Sequence, residues 1–164
     1  MESVSGVLEN KALLRHDEKE VVCFIKGVDN NFAEQERIVN NITDGSFSFK
    51  QNNIEYAVVG RGIKYSLGLN SSSDFQNIQV YALKGSAKLN PNVLRNNVYS
   101  QKSIKTAGVF AIENGFDNGF VFTSLEFAQE LFDKNNKLSS YEIKLYNKHS
   151  TSKTKAQIAK KNRI

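Results

Sequence analysis

Two strand-like runs flank one long polar segment: Ile78-Gln-Val-Tyr-Ala-Leu83 comes before it and Ile104-Lys-Thr-Ala-Gly-Val-Phe-Ala-Ile112 comes after it. The segment Lys84–Lys105 is rich in Asn, Ser and Lys and contains the only proline of the chain, Pro91. Connections in compact domains usually have about 4–6 residues, and loops beyond about 12–15 residues are either functional or disordered. The flanking pattern predicts a hairpin-like projection, with a disordered loop as the alternative.

The charge and apolar content of this segment favour the projection. No acidic residue occurs between Asp74 and Glu113. The apolar residues of the segment are too many for a plain linker and too scattered for a core strand: they are Leu89, Val93, Leu94, Val98 and Tyr99. A basic projection with apolar points is typical of a part that contacts another molecule.

Length and composition indicate one soluble globular domain. The chain has 164 residues, of which 40% are hydrophobic and 24% charged, so it can bury a real core and is not disordered as a whole. The single cysteine, Cys23, excludes an internal disulfide and a cysteine-based zinc cluster.

The net charge of +5 is concentrated near the end of the chain. Six basic residues and no acidic residue lie from residue 148 onward: Lys148, Lys153, Lys155, Lys160, Lys161 and Arg163. The rest of the chain has 16 basic and 17 acidic residues, a net charge of −1. Nucleic-acid-binding proteins more often spread basic residues over a folded face. The tail is interpreted as a solvated helix, with an anionic partner as the alternative.

The ends of the chain suggest a piece of a longer protein. No run of about 18 apolar residues predicts a membrane helix. The start, Met1-Glu-Ser-Val-Ser-Gly6, lacks the charged and apolar regions of a signal peptide. The chain opens almost directly into a strand pattern and ends in an unfinished helix pattern.

The first part of the chain has a strand-rich pattern. Val7–Leu14 and Lys19–Gly27 are predicted to be strands joined by the turn at His16-Asp-Glu18. The second strand is apolar on both faces, which predicts a central position in a sheet. Asp29–Asn41 is weakly helical. Further strands are predicted at Ser46–Phe49 and Glu55–Val59.

The helix signals are more specific. Gly60–Leu67 is predicted to be a two-turn helix ended by Gly68 in the left-handed conformation, with Leu69 as the accompanying hydrophobic contact. Thr123 and Glu126 form a T-x-x-E capping box. Phe122 and Phe127 fit the hydrophobic staple of that box, and the helix stripe that follows consists of Leu125, Ala128, Leu131 and Phe132.

The last predicted elements are a strand at Ser140–Tyr146 and a lysine-rich helix at Ser150–Arg163. Only Ala156, Ile158 and Ala159 are available for burial in that helix. The mixture of short helices and many strands predicts the α+β fold class.

Candidate chemical groups have simpler structural explanations. Gly60-Arg-Gly62 does not have the glycine spacing of a dinucleotide-binding loop, so a tight turn into a short helix is predicted. His16 and His149 have no partners at useful spacing and are predicted to be solvated. Cys23 is predicted to be buried and inert.

Glu113 and Asp117 lie in a Gly- and Asn-rich stretch, where they are predicted to be turn formers. No catalytic triad and no metal-ligand pattern is found in the sequence. We therefore predict no catalytic residues, no metal site and no cofactor.

A family resemblance runs over most of the chain. The order of motifs resembles the extracytoplasmic domain of lipoprotein-releasing ABC transporter permeases, the LolC/LolE group of the FtsX-like and MacB-like permeases. Within that group it resembles the versions from Bacteroides relatives. The motifs that carry the resemblance are Leu8-Glu-Asn-Lys-Ala-Leu-Leu-Arg15, Ile25-Lys-Gly-Val-Asp29, Asp44-Gly-Ser-Phe47, Ala57-Val-Val-Gly60, Leu67-Gly-Leu69, Ile78–Tyr81, Ala107-Gly-Val-Phe110, Phe116-Asp117, Leu125–Leu131 and Glu142-Ile-Lys-Leu145.

The resemblance implies a MacB-like periplasmic core domain with a split architecture. Residues 1–37 and 138–164 would form a partial porter-like α/β part, and residues 38–137 a β-rich Sabre-like part inserted into it. The first strand and helix of the porter part and all transmembrane helices would lie outside this sequence. The domain would stand at the periplasmic face of the bacterial inner membrane.

The resemblance also implies a partner. In the lipoprotein-releasing permeases a protruding hairpin, the hook, recruits the periplasmic lipoprotein carrier, and its position here is about residues 84–105. The carrier-binding residues would be Lys88, Leu89, Pro91, Val93, Leu94, Arg95, Tyr99 and Lys102. Further partners would be the lipoprotein substrate, a second permease subunit and a cytoplasmic ATPase subunit, with no nucleic acid.

Two other functions stay open from the sequence. One is an FtsX-like or MacB-like domain that transmits motion to an exporter or to a cell-wall hydrolase. The other is a soluble module that binds nucleic acid through its basic tail, for which affinity would fall steeply with salt.

Overall fold

A computed structural model describes residues 3–32, 35–70, 76–84, 98–145 and 151–161. The described residues form nine strands: Ser3–His16 (β1), Lys19–Val28 (β2), Ile42–Gly45 (β3), Lys50–Gln51 (β4), Ile54–Gly60 (β5), Asn77–Leu83 (β6), Tyr99–Phe110 (β7), Phe120–Ser124 (β8) and Ser140–Lys144 (β9). The helices are Gln35–Val39 (α1), Arg61–Leu67 (α2), Asn114–Asp117 (α3), Leu125–Leu131 (α4) and Thr151–Lys161 (α5).

Six of the strands close into a ring. The order around it is β7-β6-β1-β2-β8-β5, and β5 pairs again with β7. The β2–β8 and β5–β7 pairs are parallel, and the other four pairs are antiparallel. β3 pairs with β7, β4 with β5, and β9 with the first residues of β1. This mixed sheet with short helices confirms the predicted α+β class.

Two apolar cores lie on opposite faces of the sheet. The larger core contains Val59 of β5 and Val121 of β8 and is closed by α2 and α4. The smaller core contains the next residues, Val58 and Phe122, together with aromatic side chains of the neighbouring segments. Because successive side chains of a strand point to opposite faces, continuous apolar runs in β5 and β8 build both cores.

The first predicted hairpin is confirmed. β1 and β2 pair from Val7↔Val28 to His16↔Lys19, and Asp17 in the turn has a φ of 52°. β2 is central, as predicted, because it lies between β1 and β8. Its outer face is open at Val22, which is 64% exposed, so this strand is not buried on both faces along its length.

The prediction of a strand at Ser46–Phe49 is wrong. β3 ends at Gly45, whose φ is 70° and whose added Cβ would lie 2.1 Å from the Ala107 carbonyl oxygen. The chain turns there, and β4 begins only at Lys50. The Phe47 and Phe49 rings meet edge to face at 4.7 Å and pack against the smaller core. Their alternation reflects this packing and not a ladder of backbone hydrogen bonds.

The helix prediction around Gly60 is confirmed. α2 begins at Arg61, and Gly68 ends it with a φ of 65°, donating its N–H to the carbonyl oxygens of Lys64 and Tyr65. Leu69 is buried, as expected for the contact that accompanies such a cap. The C-terminal end of this helix therefore follows from local residue types.

The capping box predicted at Thr123 is wrong by one residue. Ser124 is the N-cap of α4, and its hydroxyl oxygen accepts a hydrogen bond from the Phe127 N–H at 3.1 Å. Thr123 stays in β8, where it pairs with Gly27 of β2. Both Thr and Ser are good N-cap residues, so the strand pairing decided which of them caps the helix. Ala128, Leu131 and Phe132 are buried, as predicted.

The final elements match the predictions in position. β9 and α5 lie where a strand and a lysine-rich helix are predicted. The three residues available for burial in α5, Ala156, Ile158 and Ala159, are all exposed, which agrees with the interpretation of a solvated helix. Within the described residues, no helix has the length and the apolar character that a membrane crossing requires.

Candidate protein-interaction site

The segment predicted to project, Lys84–Lys105, lies between and within the strands of the β6–β7 hairpin, and its residues 85–97 lie outside the described residues. Its strands pair in register from Asn77↔Lys105 to Leu83↔Tyr99. One more backbone hydrogen bond, from the Lys84 N–H to the Val98 carbonyl oxygen at 2.9 Å, extends the hairpin outward. The described root of the hairpin therefore runs to residues 84 and 98.

Most of the predicted carrier-binding residues lie outside the described residues. These are Lys88, Leu89, Pro91, Val93, Leu94 and Arg95. Tyr99 and Lys102 are described, and they lie on opposite faces of the hairpin. The two residues are three positions apart in one strand, and side chains alternate between the faces, so they point in opposite directions.

Tyr99 lies on the outer face of the hairpin. Its side chain is 66% exposed, and the residue opposite it, Leu83, is 59% exposed. Leu83 was not among the residues predicted from the sequence. Strand alternation was the available signal. It places Leu83 on the same face as Gln79 and Tyr81 and opposite to the buried Ile78 and Val80.

Lys102 lies on the inner face and contacts α4. Its ammonium group pairs with the Glu130 carboxylate and lies 5.1 Å from the centre of the Phe127 ring. The Lys102 side chain is 28% exposed. Its charge is thus used within the domain, where it fixes the hairpin against α4.

The two faces of the hairpin root have different chemistry. The inner face buries Ile78, Val80, Ala82 and Ile104 in the larger core. On the outer face the Gln101 amide donates to the Tyr81 hydroxyl and to the Gln79 side-chain oxygen, both at 3.3 Å. The root is therefore anchored on one side and presents polar and aromatic groups on the other.

The groups that could support chemistry have structural roles. Cys23 is buried in the larger core, and burial raises the pKa of its thiol to about 12. This confirms the prediction of an inert cysteine. The predicted solvated state of His16 is wrong: its side chain is 14% exposed, and its Nδ1 atom lies 3.1 Å from the Asn77 carbonyl oxygen. The end of β6 covers this histidine, and His149 lies outside the described residues.

Asp117 organises the junction between α2 and α3. Its buried carboxylate accepts the N–H groups of Ile112 and Glu113 at 2.7 and 3.2 Å and lies 3.8 Å from the Arg61 guanidinium. An added Cβ at Gly60 would lie 2.1 Å from the Asp117 carbonyl oxygen, so glycine permits this close approach. The tight-turn interpretation of Gly60-Arg-Gly62 is confirmed.

No metal-binding geometry is found in the described ranges, because no three His, Cys, Asp or Glu side chains come together there. The β6–β7 hairpin, with Leu83 and Tyr99 exposed at its outer end, is the candidate functional site.

The fold is that of extracytoplasmic domains of ABC-type transporters. The chain superposes on the extracellular domain of the noncanonic ABC-type transporter YknZ from Gram-positive bacteria with a TM-score of 0.63 and 11% identity, covering 93% of this chain and 69% of that one. It superposes on the periplasmic region of MacB from Actinobacillus actinomycetemcomitans with a TM-score of 0.60 and 9% identity, covering 96% of this chain and 65% of that one. No protein-family model and no curated protein sequence matches the chain. At these identities the likeness concerns the fold alone.

Proposed function

We propose that this chain is a non-catalytic extracytoplasmic domain of an ABC transporter permease that recruits the periplasmic lipoprotein carrier. ATP hydrolysis by a separate cytoplasmic subunit would move membrane helices outside this sequence. The domain would transmit that motion to the carrier and to the lipoprotein substrate. It would act at the periplasmic face of the inner membrane, next to a second permease subunit.

The β6–β7 hairpin is the observation that carries this proposal. Its root is held by the larger core and by the Lys102–Glu130 pair, so the strands need little further ordering when a partner binds. Leu83 and Tyr99 are exposed at the outer end of its described strands. A stiff stem with an apolar end suits recruitment of another protein.

The sequence assigns the binding roles within the proposal. Leu89, Pro91, Val93, Leu94 and Tyr99 would supply apolar anchors for the carrier. Lys88 and Arg95 would steer an acidic rim of the carrier, which affects mainly the association rate. Lys102 belongs to the same predicted set, but binding the carrier through its ammonium group requires competition with Glu130.

The split architecture is part of the same proposal. A porter-like part would comprise residues 1–37 and 138–164, and a Sabre-like part residues 38–137. The ring takes β1 and β2 from the first part and β5 to β8 from the second. The two parts would therefore move as one body when the membrane helices move.

A second candidate is a domain that acts on an exporter or a cell-wall hydrolase in the manner of FtsX-like and MacB-like permeases. The observation that favours it is the fold likeness to the YknZ and MacB domains. The stiff hairpin root serves either function. The identity of the protein bound at the hairpin distinguishes them.

The experiment is calorimetric titration of this chain with the periplasmic lipoprotein carrier of the same organism. A variant in which residues 85–97 are replaced by Asn-Gly keeps the Lys84–Val98 pair and closes the hairpin with a two-residue turn. We expect the intact chain to bind and this variant to lose binding. Circular dichroism and the thermal unfolding midpoint serve as the folding control.

Retained binding in the variant would leave the carrier as partner and move the site away from the loop. No binding by the folded, intact chain would contradict carrier recruitment. Binding to a protein encoded beside the gene, such as a hydrolase or an exporter subunit, would then favour the second candidate.

A further inference from the structure

The sheet has an apolar face at the end where β9 joins it. Val4 of β1 lies opposite Ile143 of β9, and Gly6 lies opposite Tyr141. Residues directly opposite each other share one face of a sheet. Val4, Tyr141 and Ile143 are 40%, 69% and 36% exposed. We call this surface the β9 face and define it by these four residues.

The reverse side of β9 is already covered. There the Glu142 carboxylate pairs with the Lys26 ammonium at 2.5 Å, and the Lys144 ammonium pairs with Glu36 of α1 at 3.3 Å. Ser5, which lies opposite Glu142 in the register, is fully buried. A segment that packs against β9 therefore has room on the β9 face and not on the reverse side.

The β9 face is covered at one end only. Leu138, two residues before β9, lies over Gly6, where an added Cβ would be 3.0 Å from the Leu138 Cδ1 atom. The cover stops there, since Val4 and Ile143, farther along the same face, are exposed. The open part is therefore a continuation of a surface that already packs against an apolar side chain.

Helix α5 has a side that suits this surface. Thr151, Thr154 and Ile158 follow one another at spacings of three and four residues, which places them on one side of the helix. Ile158 is 40% exposed. Ala156 lies two positions from Ile158, about 200° around the helix, and so on the opposite side.

The lengths of the two elements match. β9 has five residues and α5 has eleven, and each is about 16 Å long at the usual rise per residue. Residues 145–150 lie between them in the chain and can span up to about 20 Å. Consecutive elements are usually adjacent in space. α5 can therefore run back along β9 without any change in the sheet.

We propose that α5 is a strap that closes over the β9 face and places Ile158 against Val4, Tyr141 and Ile143. The described arrangement, with Ile158 exposed, is the open state. Closure buries apolar side chains of both elements, which favours it in water.

Closure has a consequence for the hairpin, and this consequence rests on the proposed function. β1 pairs with β9 over Ser3–Val7 and with β6 over Leu13–Arg15. A closed α5 contacts the strand that supports the β6–β7 hairpin, whereas an open α5 is joined to β9 through residues 145–150. Motion applied to α5 would thus reach the hairpin more directly in the closed state.

The test is cross-linking within the intact chain. Two cysteines are introduced in a Cys23→Ala background, Tyr141→Cys with Ile158→Cys, and a short bis-maleimide is added to the dilute protein. The matched control is Tyr141→Cys with Ala156→Cys, because Ala156 is also exposed and lies on the other side of α5. Mass spectrometry after proteolysis measures the rate of the internal cross-link, and circular dichroism shows whether each variant is folded.

We expect the Ile158→Cys pair to cross-link at least about tenfold faster than the Ala156→Cys pair, because closure raises the effective concentration of one thiol near the other. Adding Ile143→Ser, which weakens the apolar contact, is expected to bring the faster rate close to that of the control. Equal rates for the two pairs would overturn the strap, since a solvated helix on a flexible connection presents both positions alike. A rate that Ile143→Ser leaves unchanged would overturn it as well.

The strap and the proposed function can fail separately, because the cross-linking needs no carrier. Equal cross-linking rates in a chain that binds the carrier would overturn the strap alone. A chain that cross-links as expected and does not bind the carrier would overturn carrier recruitment and leave the strap.

Discussion

The two faces of the sheet β7-β6-β1-β2-β8 differ in what they contact. The inner face holds Ile78, Val80 and Cys23 in the larger core, and there Lys102 contacts α4. The outer face exposes Val22, Leu83 and Tyr99. Hydrophobic residues that are one position apart in the chain therefore have different roles. Those on the inner face stabilise the core, and those on the outer face are exposed.

The largest expected difference between the faces concerns thiol reactivity at adjacent positions of β2. Burial raises the pKa of Cys23 from 9.0 to about 12. At pH 8 its thiolate fraction is then lower by about 1000-fold than that of an ordinary thiol, and only the thiolate reacts with alkylating agents. In a Cys23→Ala background, Val22→Cys is expected to react at least about 1000-fold faster than native Cys23. Iodoacetamide labelling followed by mass spectrometry measures both rates.

Labelling in denaturant is the control for this comparison. Both proteins are expected to react at one rate when unfolded, because both thiols then have the ordinary pKa. Similar rates in the native state would contradict the assignment of these two side chains to opposite faces.

The next effect is on stability. Ile78→Ala removes a fully buried side chain from the larger core and is expected to lower the free energy of unfolding by about 2–5 kcal/mol. The matched change on the outer face, Leu83→Ala, is expected to stay within about 0.5 kcal/mol. Urea denaturation followed by circular dichroism measures both values. A cost for Leu83→Ala as large as that for Ile78→Ala would show that the outer face is buried.

The smallest expected effect is the coupling between the hairpin and α4. In a double-mutant cycle of Lys102→Met and Glu130→Gln we expect a coupling energy of about 0.5 kcal/mol, because the Glu130 side chain is 62% exposed and solvent weakens the pair. Hydrogen exchange of residues 99–105 is expected to quicken in either single variant. If no coupling energy and no change in hydrogen exchange were measured, the anchoring role of Lys102 would be contradicted.

Features that depend on neighbouring residues were predicted correctly, whereas features set by distant residues were misplaced. The Gly68 cap and the turn at Asp17 depend on residues close in the chain, and both were predicted correctly. The N-cap of α4 was placed one residue early, because the pairing of Thr123 with Gly27 is not visible in the local sequence. The strand predicted at Ser46–Phe49 failed for the same reason, since its apolar alternation gives no information about a hydrogen-bonding neighbour.

The candidate site was predicted in part. The flanking strands located the hairpin, and six of the eight predicted binding residues lie between its described ends. The sequence did not separate Tyr99 from Lys102. Lys102 and Ile104 are two positions apart, so strand alternation places both on the face that packs against the core. A lysine is expected on that face only when the position of α4 is known.

The sequence by itself determined the α+β class, the turn at Asp17, the Gly68 cap of α2 and the hairpin between β6 and β7, because these depend on side-chain periodicity and on local backbone preferences. The tertiary structure decided the closure of the ring through the β5–β7 pair and the contact of Lys102 with α4. It also decided which apolar residues of the sheet remain exposed, among them Val22, Leu83 and Tyr99. These features join residues that are distant in the chain, and no local preference specifies such pairings.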